Sequence, residues 1–257
     1  MRYCRSSIVV LAFLVSALLA CGRTLSNQIT SESVPFSTSP VIVIGFVGGF
    51  VPRDAAVHGT VQLAERLRKE YPSGVHVEVF ENHRGKKAHQ QILRVLGAGQ
   101  NGRLSEAQKR NARIILYGNS WGASEAVNVA RKLEKDGIPV LLTIQIDSVR
   151  KCGEDDAVIP ANVAQAANFY QTRGIVRGRP EVRAADPAHT QIIGNFKFDY
   201  AQHPVKCTGY PWFARTFEKT HIEIECDPAV SSQVESLIRS KLPPQQLSSA
   251  EPARLSE

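Results

Sequence analysis

The sequence predicts an α/β fold with a mostly parallel sheet of about five or more strands and helices on both faces. Three observations carry this. Short apolar runs at Val41–Phe46, Val75–Phe80, Arg113–Tyr117 and Pro139–Ile146 alternate with segments of helical spacing. No internal repeat interrupts that alternation. With 257 residues, 43% of them apolar, the chain is long enough to bury the core of one such domain.

The elements follow in order. Val41-Ile-Val-Ile-Gly-Phe46 is a β-branched run ending near glycines, the pattern of a buried parallel strand. Gln62–Glu70 spaces Leu63 and Leu67 on one helical face, and Pro72-Ser73-Gly74 stops it. Val75–Phe80 reads as a second strand, and Ala88–Gly97 as a helix closed by Gly97-Ala98-Gly99. Ser105 starts a helix leading to the strand Arg113–Tyr117. Ala123–Lys135 is a helix stopped by Asp136-Gly137, and Pro139–Ile146 a fourth strand ending at Asp147. The less regular region 151–186 is expected to hold one helix over Asn162–Tyr170. Thr190–Phe196 is a fifth strand and Ala229–Leu242 the last helix. The aromatics within 150–215 are expected to build a cap or pocket wall, or else to pack in the core.

The first twenty residues read as an export signal. Arg2 and Arg5 precede the apolar run Ile8–Val15, and small residues follow. That run is shorter than the ~20 residues a membrane span needs. Leu18-Leu19-Ala20-Cys21 resembles the lipobox of bacterial lipoproteins, which implies lipidation at Cys21 and a flexible tether over 21–39. The folded domain is then 40–242, with a disordered tail over 243–257. The expected location is the bacterial cell envelope, with the lipid as the sole membrane attachment, or a secreted or periplasmic soluble form.

Removing Arg2 and Arg5 takes the formal charge from +7 to +5. The remaining cations are dispersed among acids, which argues against a nucleic-acid partner. Cys152, Cys207 and Cys226 remain after the leader, so at most one disulfide forms among them, and Cys207–Cys226 is the expected pair. No spacing matches a metal site, and no cofactor is implied.

The chemistry centres on Gly118-Asn119-Ser120-Trp121-Gly122. By chance alone about one chain of this size in ten would carry Gly-x-Ser-x-Gly. Here it lies between a strand and a helix, where a sharp turn exposes the serine hydroxyl and the helix N-terminus can stabilise an oxyanion. A serine nucleophile needs a base, and the base an orienting acid. His221 leads as the base over His189 and His203, because it immediately precedes the last helix. Asp147 leads as the acid, because it ends a buried strand where an unpaired carboxylate is costly. Asp199 and Asp186 are the alternatives. For the oxyanion, the N–H of Trp121 is one candidate donor, and those of Phe46 or Val47, beside Gly48-Gly49, are the others.

Taken together, these motifs resemble the α/β-hydrolase superfamily over roughly residues 40–242. Ile146-Asp147-Ser148-Val149, Ile159–Val163 and Asn168–Gln171 further resemble a group of lipase-like or thioesterase-like bacterial hydrolases. The resemblance implies a Ser-Asp-His triad of Ser120, Asp147 and His221 but does not supply a substrate. The mechanism expected of these residues is acyl transfer to water from an ester or thioester, with a small-molecule or lipid-like acyl substrate as the partner. The competing expectation is a non-catalytic envelope lipoprotein that uses the same fold as a binding module.

Overall fold

Seven consecutive residues without an exposed side chain form strand β1 (Val41–Val47). A strand buried on both faces belongs in the middle of a parallel sheet. The computed structural model describes residues 40–99 and 102–244. The export signal, Cys21, the tether up to residue 39 and the tail from 245 lie outside the described residues.

After β1 come α1 (Gly59–Glu70), β2 (Val75–Glu81), α2 (Gly85–Val95), α3 (Glu106–Arg110), β3 (Arg113–Asn119), α4 (Trp121–Lys135) and β4 (Val140–Ile146). The second half holds β5 (Val158–Ile159), β6 (Val163–Tyr170), β7 (Arg183–Ala184) and β8 (Gln191–Lys197). Helices α5 (Trp212–Phe217), α6 (Lys219–Cys226) and α7 (Pro228–Arg239) follow.

Six strands form one sheet in the order β2-β1-β3-β4-β6-β8, and every neighbouring pair is parallel. Strands β5 and β7 pair separately. Alternation along each strand divides the core in two. Val41, Val43, Ile115 and Tyr117 pack with Leu63, Leu67, Val230 and Val234 of α1 and α7. Ile42, Ile44, Ile114 and Leu116 face the other way, onto Ile92 of α2 and Val127, Ala130 and Leu133 of α4. Both faces are therefore covered by helices.

Local chemistry sets several helix ends. Ser105 and Gln108 form a reciprocal capping box on α3. Asp227 caps α7 by accepting from Ala229 N, with Pro228 in the first turn. Tyr200 donates to the other Asp227 oxygen at 2.9 Å. Cys207 and Cys226 are joined by a disulfide, which ties the segment after β8 to the end of α6.

The structure corrects the sequence reading in the second half. Asn162–Tyr170 was expected to be helical; it is β6, between β4 and β8. Ala164, Gln165, Ala166 and Ala167 favour helix intrinsically, but Ala166, Ala167 and Phe169 are buried against strands and helices that leave only a strand slot. Within 150–215, β6 and β8 extend the main sheet, and loops with the start of α5 make up most of the rest. Phe169 stacks on Phe196 at 5.1 Å, and Tyr200 and Tyr210 are buried. Residues 212–226 form two helices, so His221 sits in the first turn of α6, and α7 begins only after that helix ends.

Gly45, in the middle of β1, shows how tight this packing is. A Cβ there would lie 2.7 Å from Cζ and the hydroxyl of buried Tyr117, which itself donates to Thr60 O at 2.9 Å. Gly45→Ala is expected to cost about 1–3 kcal/mol of stability. Urea unfolding should show a lowered midpoint with an unchanged slope.

Candidate active site

Parallel strands in register bring their carboxyl ends to one edge. Phe46 pairs with Gly118, Asn119 with Ile146, and Ile146 with Phe169. The residues that follow, Ser120 after β3 and Asp147 after β4, therefore stand side by side.

Ser120 has φ 55° and ψ −126°. A non-glycine residue in such a region costs about 1–3 kcal/mol and persists only where its surroundings impose it. Here Ser120 N donates to Ile146 O at 2.9 Å, and Ser120 O accepts from Ala123 N at 3.1 Å. The flanking glycines permit the turn by letting backbone touch backbone. A Cβ on Gly122 would overlap the Phe46 carbonyl, and one on Gly118 would lie 2.7 Å from Ala123 N. Helix α4 thus starts pressed against the sheet.

Asp147 also has positive φ, 46°, and no exposed surface. Its carboxylate is fully engaged. Oδ2 accepts from His221 Nδ1 at 2.6 Å and from Gln171 Nε2 at 2.8 Å, and Oδ1 accepts from Gln171 N at 3.0 Å. Gly178 packs so closely that a Cβ there would overlap Oδ1. The bond to Asp147 puts the proton on Nδ1 of His221 and leaves Nε2 with its lone pair.

The other candidates are placed elsewhere. His189 is exposed, pairs with Asp186 at 2.7 Å and precedes β8, at the opposite edge of the sheet. His203 is exposed. Asp199 contacts Arg173 at 3.3 Å.

Phe46 and Val47 are the last residues of β1, and sheet pairing holds both, Phe46 from two sides. The loop that overlies the serine begins one residue later. A Cβ on Gly48 would lie 3.3 Å from Ser120 Cβ, and one on Gly49 2.8 Å from the Trp121 ring. Asn82 Nδ2 donates to Gly48 O at 2.6 Å from the β2 side. In a trans peptide the adjoining Gly49 N–H points the opposite way, away from β2. The N–H of Trp121, in the first turn of α4, is left without an intrahelical acceptor.

Behind this loop lies a network that sequence reasoning missed. Lys151 Nζ donates to Asn82 O at 2.5 Å and to the buried Glu125 at 2.6 Å. A Cβ on Gly85 would overlap the Glu125 carboxylate. His58 pairs with Glu225 at 2.9 Å and so ties the loop after β1 to α6, four residues beyond His221. None of these residues falls in a recognisable motif. Among the described residues no group of three His, Cys, Asp or Glu side chains is arranged to hold a metal ion.

Burial pushes the His221 imidazole towards neutrality, but the hydrogen bond and charge of Asp147, with Glu225 and Glu218, outweigh it. The net result is a pKa above the ordinary 6.5. A raised folded-state value stabilises the fold fully below the unfolded pKa, and that contribution is lost as pH rises through the folded one.

A fully parallel six-stranded sheet, helices on both faces and a strained serine between strand and helix define the architecture. The fold is α/β-hydrolase-like. No protein-family model and no curated protein matches the chain. Among solved structures it is similar to the RedJ thioesterase of prodiginine biosynthesis in Streptomyces coelicolor, with 11% identity, 79% of this chain and 91% of that one covered, and a TM-score of 0.40. A thermostable esterase from Pseudomonas putida shares 11% identity over 79% of this chain and 74% of its own, with a TM-score of 0.39. An acetylxylan esterase shares 14% over 80% and 100%, with a TM-score of 0.37. At such values the chemistry has to be read from the site itself.

Two outcomes test this geometry without reference to any reaction. In NMR titration the His221 imidazole should protonate above 6.5, and in Asp147→Asn its midpoint should fall. Lys151→Met, which leaves Glu125 buried and short of its closest cation, should cost about 3 kcal/mol in chemical denaturation. Adding Glu125→Gln should recover part of that loss.

Proposed function

We propose that this protein is a serine hydrolase that transfers an acyl group from an ester or thioester to water. The observation that carries the reading is the buried His221–Asp147 pair at 2.6 Å, on the same sheet edge as the strained Ser120. Strain at a serine is unfavourable for folding, and a binding module has no need of it.

In the proposed cycle Ser120 Oγ attacks the substrate carbonyl while its proton passes to Nε2 of His221. The Asp147 carboxylate holds the ring and stabilises the imidazolium. The oxyanion of the tetrahedral intermediate accepts from the N–H of Trp121 and from an amide of the Gly48-Gly49 loop, in place of Phe46 or Val47. Collapse of the intermediate expels the alcohol or thiol, which takes the proton from His221 and leaves Ser120 acylated. Water then attacks the acyl-enzyme, with His221 again accepting the proton. Release of the carboxylic acid restores Ser120. The leader and Cys21 support the further proposal that this chemistry takes place at the cell envelope, on a lipid-anchored protein.

A fluorophosphonate probe should label the wild-type protein and fail to label Ser120→Ala; persistent labelling of the variant would sink Ser120 as nucleophile. His221→Ala should lower kcat/KM for an ester by roughly 100- to 10,000-fold. Wild-type kcat/KM should rise with pH through a midpoint above 6.5, since the base acts only when neutral. A midpoint at or below that value contradicts the role given to Asp147.

A further inference from the structure

The described residues with large, well-exposed apolar side chains are Phe50 (95%), Ile175 (80%), Trp212 (67%) and Phe217 (60%). Exposed apolar side chains scattered singly are ordinary. These four are not scattered. Phe50 follows β1, Ile175 follows β6, and Trp212 and Phe217 lie on α5, after β8 and just before α6. All of these segments leave the carboxyl edge of the sheet, where Ser120 and Asp147 stand.

The three segments are joined around the site. The Phe50 ring lies 5.5 Å from that of Trp121, next to Ser120. Thr220, beside His221, donates to Arg173 O at 2.8 Å, anchoring the loop that carries Ile175. Tyr210 and Ala214 pack with Ile222 and with Val57 of the loop after β1. The apolar tips are thus mounted on a fixed rim.

Phe50 is the most telling of them. A bulky residue at φ 57° is a backbone outlier, and its ring is almost wholly in water. Neither feature favours folding, so the reason for phenylalanine here lies outside the folded chain.

Charge identifies the occupant. Within 50–57, 171–179 and 198–219 the exposed cations are Arg53, Arg173, Arg177, Lys206, Arg215 and Lys219, against the exposed carboxylates Asp54, Asp199 and Glu218. Apolar tips separated by arginine and lysine suit a soft interface, where rings and aliphatic chains enter the acyl layer while the cations meet phosphates.

We infer that this rim docks the catalytic edge onto an anionic lipid–water interface, and that the substrate of Ser120 is an ester carried in that interface. The substrate half rests on the serine-hydrolase reading; the docking half does not.

The chain has two tryptophans, Trp121 and Trp212, both on this edge, so their emission reports the rim and no other part of the full-length protein. With vesicles of equal parts phosphatidylglycerol and phosphatidylcholine bearing brominated acyl chains, emission should shift to the blue and be quenched. With phosphatidylcholine alone it should not. Phe50→Asp combined with Ile175→Asp should abolish the quenching; both positions are exposed, and aspartate tolerates positive φ better than phenylalanine. Arg215→Gln should weaken partition about fivefold, the factor equivalent to about 1 kcal/mol per surface cation. Absence of quenching in the wild type, equal quenching on zwitterionic vesicles, or quenching that survives the double substitution overturns the docking. If docking holds, an ester dissolved in the anionic vesicles should be cleaved faster by the wild type than by the double variant; equal rates overturn the substrate half. Loss of fluorophosphonate labelling with docking intact would instead count against the serine chemistry alone.

Discussion

Strand β3 passes into helix α4 through one residue whose backbone angles an L-amino acid avoids, and the neighbouring structure is arranged to hold it there. The Ser120 amide is bonded to the end of β4, and its carbonyl is taken by the first turn of α4. The turn closes only if α4 starts almost in contact with β1, which leaves no room for a side chain at Gly122. Close contact at that end also explains the alanines and valines along the buried face of α4, since a helix pinned so near a sheet has little space for larger groups.

Of the charges buried at the same edge, the two nearest the serine turn are matched. Asp147 has three donors, and Glu125 has Lys151 with Lys132 further off. Buried charges seldom add stability over apolar packing, but they set geometry because an unmatched one is so costly. Asp147 thereby determines where α6 lies. The Lys151–Asn82 link determines how the Gly48-Gly49 loop lies over Ser120. The two networks reach the serine from opposite sides.

Much of this was legible in the sequence. The central strands β1, β3 and β4 read as strands because burial on both faces demands continuous apolar runs. Helices α1 and α4 showed their periodicity and their stops. The turn at Ser120 and the contact between Asp147 and His221 were readable from motif, strand-end position and chain order. Strand β6 was misread because alanine and glutamine favour helix locally, and only its place between β4 and β8 makes it a strand. Gln171, Asn82, Lys151 and Glu125 carried no signal, since each acts through a partner at least 24 residues away. The amides of Phe46 and Val47 were natural candidates by proximity to the glycines, but the strand runs one residue further than its apolar run implied.

Ser120 and Asp147 come from one continuous strand–helix–strand unit, whereas His221 reaches Asp147 across 74 residues, on a short helix fastened at its far end by the Cys207–Cys226 disulfide. Closing so long a loop is a late and entropically costly event, so the sheet and its serine turn can form before the histidine arrives. Helix α6 is nevertheless packed into the core: His221 to Glu225 are all buried, and Ile224 joins the same apolar cluster as Val41 and Tyr117. The Cys207–Cys226 bond therefore bears on the histidine end of this edge and not on the serine turn, which the sheet and the first turn of α4 hold by themselves.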